Sequence, residues 1–235
     1  MPRRLSALFV AVCAAAALHM TARGDYIRDM GPYVIVADES GAYQKTFTVE
    51  QFDVNSTPWP QYARLLGIEF ILTGALAGDL GIENTDGAAA ANFTVTLSNV
   101  LTLRRDGTLI TTATPEYTRT STLDAYDGVE DYGGPSGETF AVSGTDTGSA
   151  STEQQDDLDA FTGNGSIVLD LGASAESILW NVTSGKTYST IESPFVGAEL
   201  TVRYTYIPEP SAGLLTCLLG LCGTLRRRRR PCRLG

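Results

Sequence analysis

Val196–Tyr206 reads VGAELTVRYTY, and its alternation decides the fold class. Ala198, Leu200, Val202, Tyr204 and Tyr206 fall on one side, and Glu199, Thr201, Arg203 and Thr205 on the other. A period of two with one apolar face is a half-buried strand, because successive side chains of an extended chain point to opposite faces. Working outward, NFTVTLSNVLTLRRDGTLITT places Asp106-Gly107 between runs rich in Thr, Leu and Val. That dipeptide suits a tight primed turn, so Ala91–Arg104 and Thr108–Thr112 are expected to form a hairpin. Further strands are expected at 33–37, 45–52, 65–73, 139–142, 165–171 and 177–183. No stretch between the chain's two ends holds a helical stripe for three turns. The expectation is an antiparallel β-sandwich. Pro115–Asp159, rich in Gly, Ser, Thr and acids, reads instead as long solvated loops around one or two weak strands.

Both ends differ from this body. Met1-Pro2-Arg3-Arg4 precedes a run from Leu5 to Leu18 that is almost wholly apolar, the layout of a secretory signal helix. Ala15 and Ala17, or Ala22 and Gly24, offer small residues for cleavage, and Val12 before Cys13 is too bulky for a lipidation site. Residues 1–24 are therefore assigned to the signal peptide, 25–207 to the sandwich domain and 208–235 to a C-terminal signal. Nine of the 17 basic residues lie in the ends, leaving Asp25–Ile207 with 26 acids against eight bases, a charge of −18. Such a body repels nucleic acid and anionic lipid. All four cysteines and the single histidine also lie in the end segments. A mature chain without them builds no Ser-His-Asp triad, Cys-His pair, disulfide or conventional zinc site. No catalytic residue and no enzymatic activity are expected. A pair of carboxylates about 5 to 9 Å apart in a cleft would be the exception, and nothing in the sequence singles one out.

Three segments offer candidate sites. In Asp124–Gly134, Asp124, Asp127, Glu130 and Asp131 stand beside glycines and present oxygens to a hard cation such as calcium, although the spacing is not that of an EF-hand. A solvated acidic loop is the plainer reading there, as it is for Glu153–Asp159, so no cofactor is expected, with calcium the alternative. Trp59 and Tyr62, in TPWPQY, carry flat faces in a proline-stiffened loop; they either stack on sugar rings or cap a core. Sequons at Asn55, Asn92, Asn164 and Asn181 are what Thr- and Ser-rich strands produce by chance.

The tail runs Ile207-Pro208-Glu209-Pro210, then the apolar Ser211–Leu225, then Arg226, Arg227, Arg228, Arg229 and Arg230. The three parts in this order resemble a PEP-CTERM sorting signal. The resemblance implies export across a bacterial inner membrane, recognition of Pro208, Glu209 and Pro210 by an exosortase-type processing enzyme, and delivery to the cell surface or an exopolysaccharide matrix. Pro231–Gly235 is a departure, since arginines normally end such tails. Fifteen residues of helix span about 22 Å, short of a hydrocarbon core of roughly 30 Å. Arginine snorkelling and bilayer thinning make such a transmembrane helix workable, and the cationic cluster fixes its C-terminal side in the cytoplasm.

The body also resembles the choice-of-anchor E extracellular domains at QKTFTVEQFD (44–53), GIENTDGAAAANFTVTLSNVLTLRRDGT (81–108), FTGNGSIVLDLGASA (161–175) and AELTVRYTYIPEPS (198–211). Those domains have no established activity or site residues to carry over, and the acidic insert around Tyr126–Tyr132 is a second departure. The function expected is that of an exported structural or adhesive surface protein, touching the inner membrane in transit and extracellular polysaccharide at its destination. The alternative is a carbohydrate-binding or calcium-dependent surface module.

Overall fold

The computed structural model describes residues 25–38, 42–54, 63–181 and 188–208. Nine strands and one helix occur among them. They are β1 (Tyr26–Asp38), β2 (Tyr43–Glu50), β3 (Ala63–Asn84), β4 (Ala91–Arg105), β5 (Thr108–Ala113), β6 (Glu116–Leu123), β7 (Gly137–Thr152), α1 (Gln155–Phe161), β8 (Ser166–Asn181) and β9 (Tyr188–Pro208). One sheet has the order β1-β9-β3-β7, and the other β2-β8-β4-β5 with β6 also on β4. Their strand pairs are antiparallel. The sheets pack face to face, as the alternation predicts.

Val196, Ala198, Leu200, Val202, Tyr204 and Tyr206 of β9 are all buried, facing Phe47 and Val49 of β2, Leu101 and Leu103 of β4, and Leu169 and Leu171 of β8 in one core. Tyr204 is fully buried, and its hydroxyl donates to the Glu50 carbonyl oxygen at 2.9 Å, joining the two sheets by a hydrogen bond. Burial pushes its phenol well above the ordinary range. The rings of Phe52 and Phe161 lie 6.0 and 6.4 Å from it. Helix α1 fills this end of the sandwich with Leu158 and Phe161. The turn at Asp106 (φ 50°) and Gly107 (φ 80°) has the two left-handed residues that a primed hairpin turn needs.

One reading needs correction. Pro115–Asp159 is not mainly loop: it contains β6, the 16-residue β7 and most of α1. β5 and β6 follow one another along the same edge of β4, pairing with Leu101–Arg105 and Ala91–Ser98. Pro115 breaks that line, because proline has no N–H to donate to a ladder. At the break, Thr114 N–H donates to Asp146 Oδ2 of β7 at 2.6 Å, and Asn99 N–H to the Pro115 carbonyl oxygen at 3.1 Å. β7 pairs with β3 from Ile68↔Thr152 to Glu83↔Gly137. Sequence reading also undershot β3 and split β8 in two.

The outer faces carry cross-strand charge and hydroxyl pairs. Arg203 on β9 makes two hydrogen bonds to Asp29 of β1 (2.7 and 3.1 Å) and one to Glu69 of β3 (3.0 Å), as register pairs. The Arg203 hydrogen bonds hold the Asp29 carboxyl below the usual carboxylate range. A carboxylate depressed on folding contributes stability that is fully present above its unfolded pKa and is lost as pH falls through the folded value. The stability difference between wild type and Arg203→Met, measured by thermal melts, is therefore expected to be constant from about pH 7 to about pH 5 and to shrink below about pH 4. A difference that grows on acidification would refute this account of the triad.

Among the described residues no helix is long and apolar enough to cross a membrane. The expected signal helix, Trp59 and Tyr62, Glu209 and Pro210, the expected Ser211–Leu225 helix and Arg226–Arg230 lie outside the described residues. Pro208 is the last residue of β9.

Candidate functional site

The strongest site candidate forms where β6 leaves one sheet and β7 enters the other. The connection, residues 124–136, has no lysine or arginine and carries four acids. Its backbone is held at both ends: Asp124 N–H donates to the Pro135 carbonyl oxygen at 2.9 Å, Tyr126 N–H to that of Asp86 at 2.9 Å, and Asn84 N–H to that of Ser136 at 2.8 Å. The buried Asn84 side chain adds bonds to the carbonyl oxygens of Ala89 (3.1 Å) and Asp124 (2.6 Å). Gly128, Tyr132 and Gly134 take positive φ values of 98°, 54° and 65°, which turn the chain back on itself.

The four sequence candidates divide in the structure. Asp127 Oδ1 accepts from Val129 N–H and Asp131 Oδ1 from Gly133 N–H, each at 2.9 Å, in local Asx turns. Glu130 Oε1 accepts from the Tyr132 hydroxyl at 3.4 Å. Asp124 joins through its main chain. Burial, and then the charges of Glu130, Glu83, Asp127 and Asp131, push the Tyr126 phenol up.

Glu83 is the residue that sequence reading missed. Along β3 the outer-facing Asp79 is exposed, whereas Gly81 and Glu83 are buried, Glu83 completely. The connection covers it: Tyr132 N–H donates to Glu83 Oε2 at 2.8 Å. A side chain at Gly137, its neighbour on β7, would run into that same oxygen and into the backbone of Tyr132 and Gly133. Among the described residues, Glu83 Oε1 is buried without a hydrogen-bond partner. In sequence, a glutamate at an outer position of an alternating strand reads as solvent-facing, so nothing local marks it. Among the described residues no group of three or more His, Cys, Asp or Glu side chains is already arranged to hold a metal ion.

The other acidic segment is put to structural use. Asp157 of α1 accepts from the Thr152 hydroxyl and from Arg105 Nη2, both at 2.7 Å, and these bonds hold its carboxyl below the usual range, that of Thr152 first. Asp159 Oδ1 accepts from Gln155 Nε2 at 2.7 Å. Beside this pair lies a shallow cleft of about 240 Å³ lined by Phe70, Arg105, Leu109, Ile110, Thr152 and Asp157. Among the described residues lining it, the one cation, Arg105, is already engaged by Asp157.

No family model and no curated protein matches this chain. Among solved structures, that of infectious bursal disease virus Gx strain aligns at 10% identity over 82% of this chain and 42% of that one, with a TM-score of 0.12. The Gt strain structure aligns at 11% identity over 79% and 41%, with a TM-score of 0.11. The chain thus spans about two fifths of the length of these structures. TM-scores at this level carry no argument, and the fold rests on the strand pairing described above.

Proposed function

We propose that this chain is an exported, non-enzymatic β-sandwich protein that serves as a structural or adhesive component of the cell surface or an exopolysaccharide matrix. The observation that carries the reading is the junction at Pro208. β9, paired on both sides by β1 and β3, ends at this residue, which is also the first of Pro208-Glu209-Pro210. The sorting motif follows the sandwich without a spacer. An exosortase-type enzyme cutting there removes Ser211–Leu225 and the arginines and releases the acidic body with its sheets intact. Before that cut, the short apolar segment holds the precursor at the inner membrane, with Arg226–Arg230 on the cytoplasmic side.

The charge distribution supports the same reading, since 26 acids against eight bases keep the body soluble and away from anionic membrane surfaces. Mass spectrometry of the native protein from fractionated cells tests it. The expected mature form lacks the signal peptide and everything C-terminal to the Pro-Glu-Pro region, and is found outside the inner membrane. A cytosolic form retaining Arg226–Arg230 would overturn the proposal.

A further inference from the structure

The buried Glu83 carboxylate lies under a connection crowded with negative charge, and it lacks half of its hydrogen bonds. An ionised carboxylate needs several donors or a cation when it leaves water, and burying it without them is costly. Here Oε2 has the Tyr132 N–H and Oε1 has no partner among the described residues. Among the described residues no ion pair engages Glu83, and the connection above it supplies no lysine or arginine.

The surrounding geometry is anionic and oxygen-rich. Three carboxylates border the tripeptide Tyr132-Gly133-Gly134: Glu83 bonds to Tyr132 N–H, Asp131 to Gly133 N–H, and Asp127 Oδ2 lies 3.2 Å from where a side chain would begin at Gly134. The glycines leave this surface open, and their carbonyl oxygens are the neutral ligands that a large hard cation adds to carboxylates.

We propose that the β6–β7 connection is a calcium site in which Glu83 Oε1, Asp127 and Asp131 bind the ion together with loop carbonyl oxygens. The carboxylates are not yet gathered about a common point, as expected of like charges without the ion between them, so binding draws the connection down onto β3. Calcium is favoured over magnesium because its six to eight ligands at irregular angles tolerate a site built from a loop, whereas magnesium demands near-ideal octahedral geometry.

The test is terbium luminescence on the purified full-length chain, with Tyr126 and Tyr132 as the sensitising phenols. A saturable signal is expected, displaced by calcium and not by equal magnesium, together with a calcium-dependent rise in melting temperature. Glu83→Gln keeps the side-chain volume and the bond from Tyr132 N–H, and should weaken calcium binding by about tenfold or more. Asp127→Asn with Asp131→Asn, at exposed positions, provides the same comparison if Glu83→Gln does not fold. Absence of a saturable signal in wild type would overturn the proposal and leave Glu83 hydrated by a trapped water. So would calcium binding unchanged in these variants, which would place the ion elsewhere on the acidic body.

Discussion

Gly148→Val is expected to leave the protein unable to reach its folded state, with the chain insoluble or lacking a cooperative thermal transition. At Gly148 the β7 backbone runs directly against β5: a Cβ placed there would fall on the Thr112 carbonyl oxygen, with the Thr112 carbon at 2.7 Å and Thr111 Oγ1 at 2.9 Å. The obstacle is backbone, and Thr112 is itself paired to Thr102 of β4, so it has no rotamer to escape into. Gly144, four residues earlier, repeats the contact against the carbonyl of Glu116 on β6. A branched side chain at 148 forces β7 away from β5 and strains its ladder to β3. Overpacking against side chains costs about 1–3 kcal/mol. Here the cost should exceed that range and consume much of a total stability of about 5–15 kcal/mol. Gly87→Ala is the control: nothing lies within 4 Å of its added atom, and its effect should stay within about 0.5 kcal/mol. A Gly148→Val protein melting within a few degrees of wild type would show that the two sheets are not in contact along this edge.

Tyr204→Ala is expected to destabilise by about 3–5 kcal/mol, a fall in melting temperature on the order of 10 °C for a domain of this size. The ring is fully buried among Phe52 and Phe161, and its removal leaves a cavity between the sheets. It also leaves the Glu50 carbonyl oxygen without the hydroxyl that reaches it across the sandwich. Tyr204→Phe separates the two effects, since it keeps the ring and loses only the hydrogen bond, at a cost of about 1–3 kcal/mol. Chemical denaturation of both variants checks the division. Equal losses would mean that the ring contributes nothing beyond its hydroxyl.

These two residues mark the two ways in which the fold was written. Tyr204 was visible in the sequence, because Val196–Tyr206 alternates without a break and Val196, Ala198, Leu200, Val202, Tyr204 and Tyr206 are all buried. The Asp106-Gly107 turn was equally visible, since its conformation depends only on the two residues that form it. Gly148 was not. In β7, GETFAVSGTDTGSAST, only Gly137 and Val142 are buried, so no apolar stripe announces a strand and the composition reads as loop. What makes it a strand is β3 beside it, with a register of sixteen residue pairs, and β5 and β6 against it, where small side chains are a requirement of close approach.

The candidate site divides in the same way. Asp127, Glu130 and Asp131 were legible as a cluster because they are neighbours in the chain. Glu83 lies more than forty residues away and alternates like any solvent-facing position until the β6–β7 connection folds over it.

By itself, then, the sequence determined the strand alternation, the hairpin turn, the strongly acidic body and the absence of His and Cys from that body, because each depends on residues near one another or on simple composition. The tertiary structure decided that a Gly-, Ser- and Thr-rich segment is a paired strand and that Glu83 is sealed from water. Both outcomes depend on which distant backbone comes to lie against a residue, and the pattern of residues around it carries no record of that.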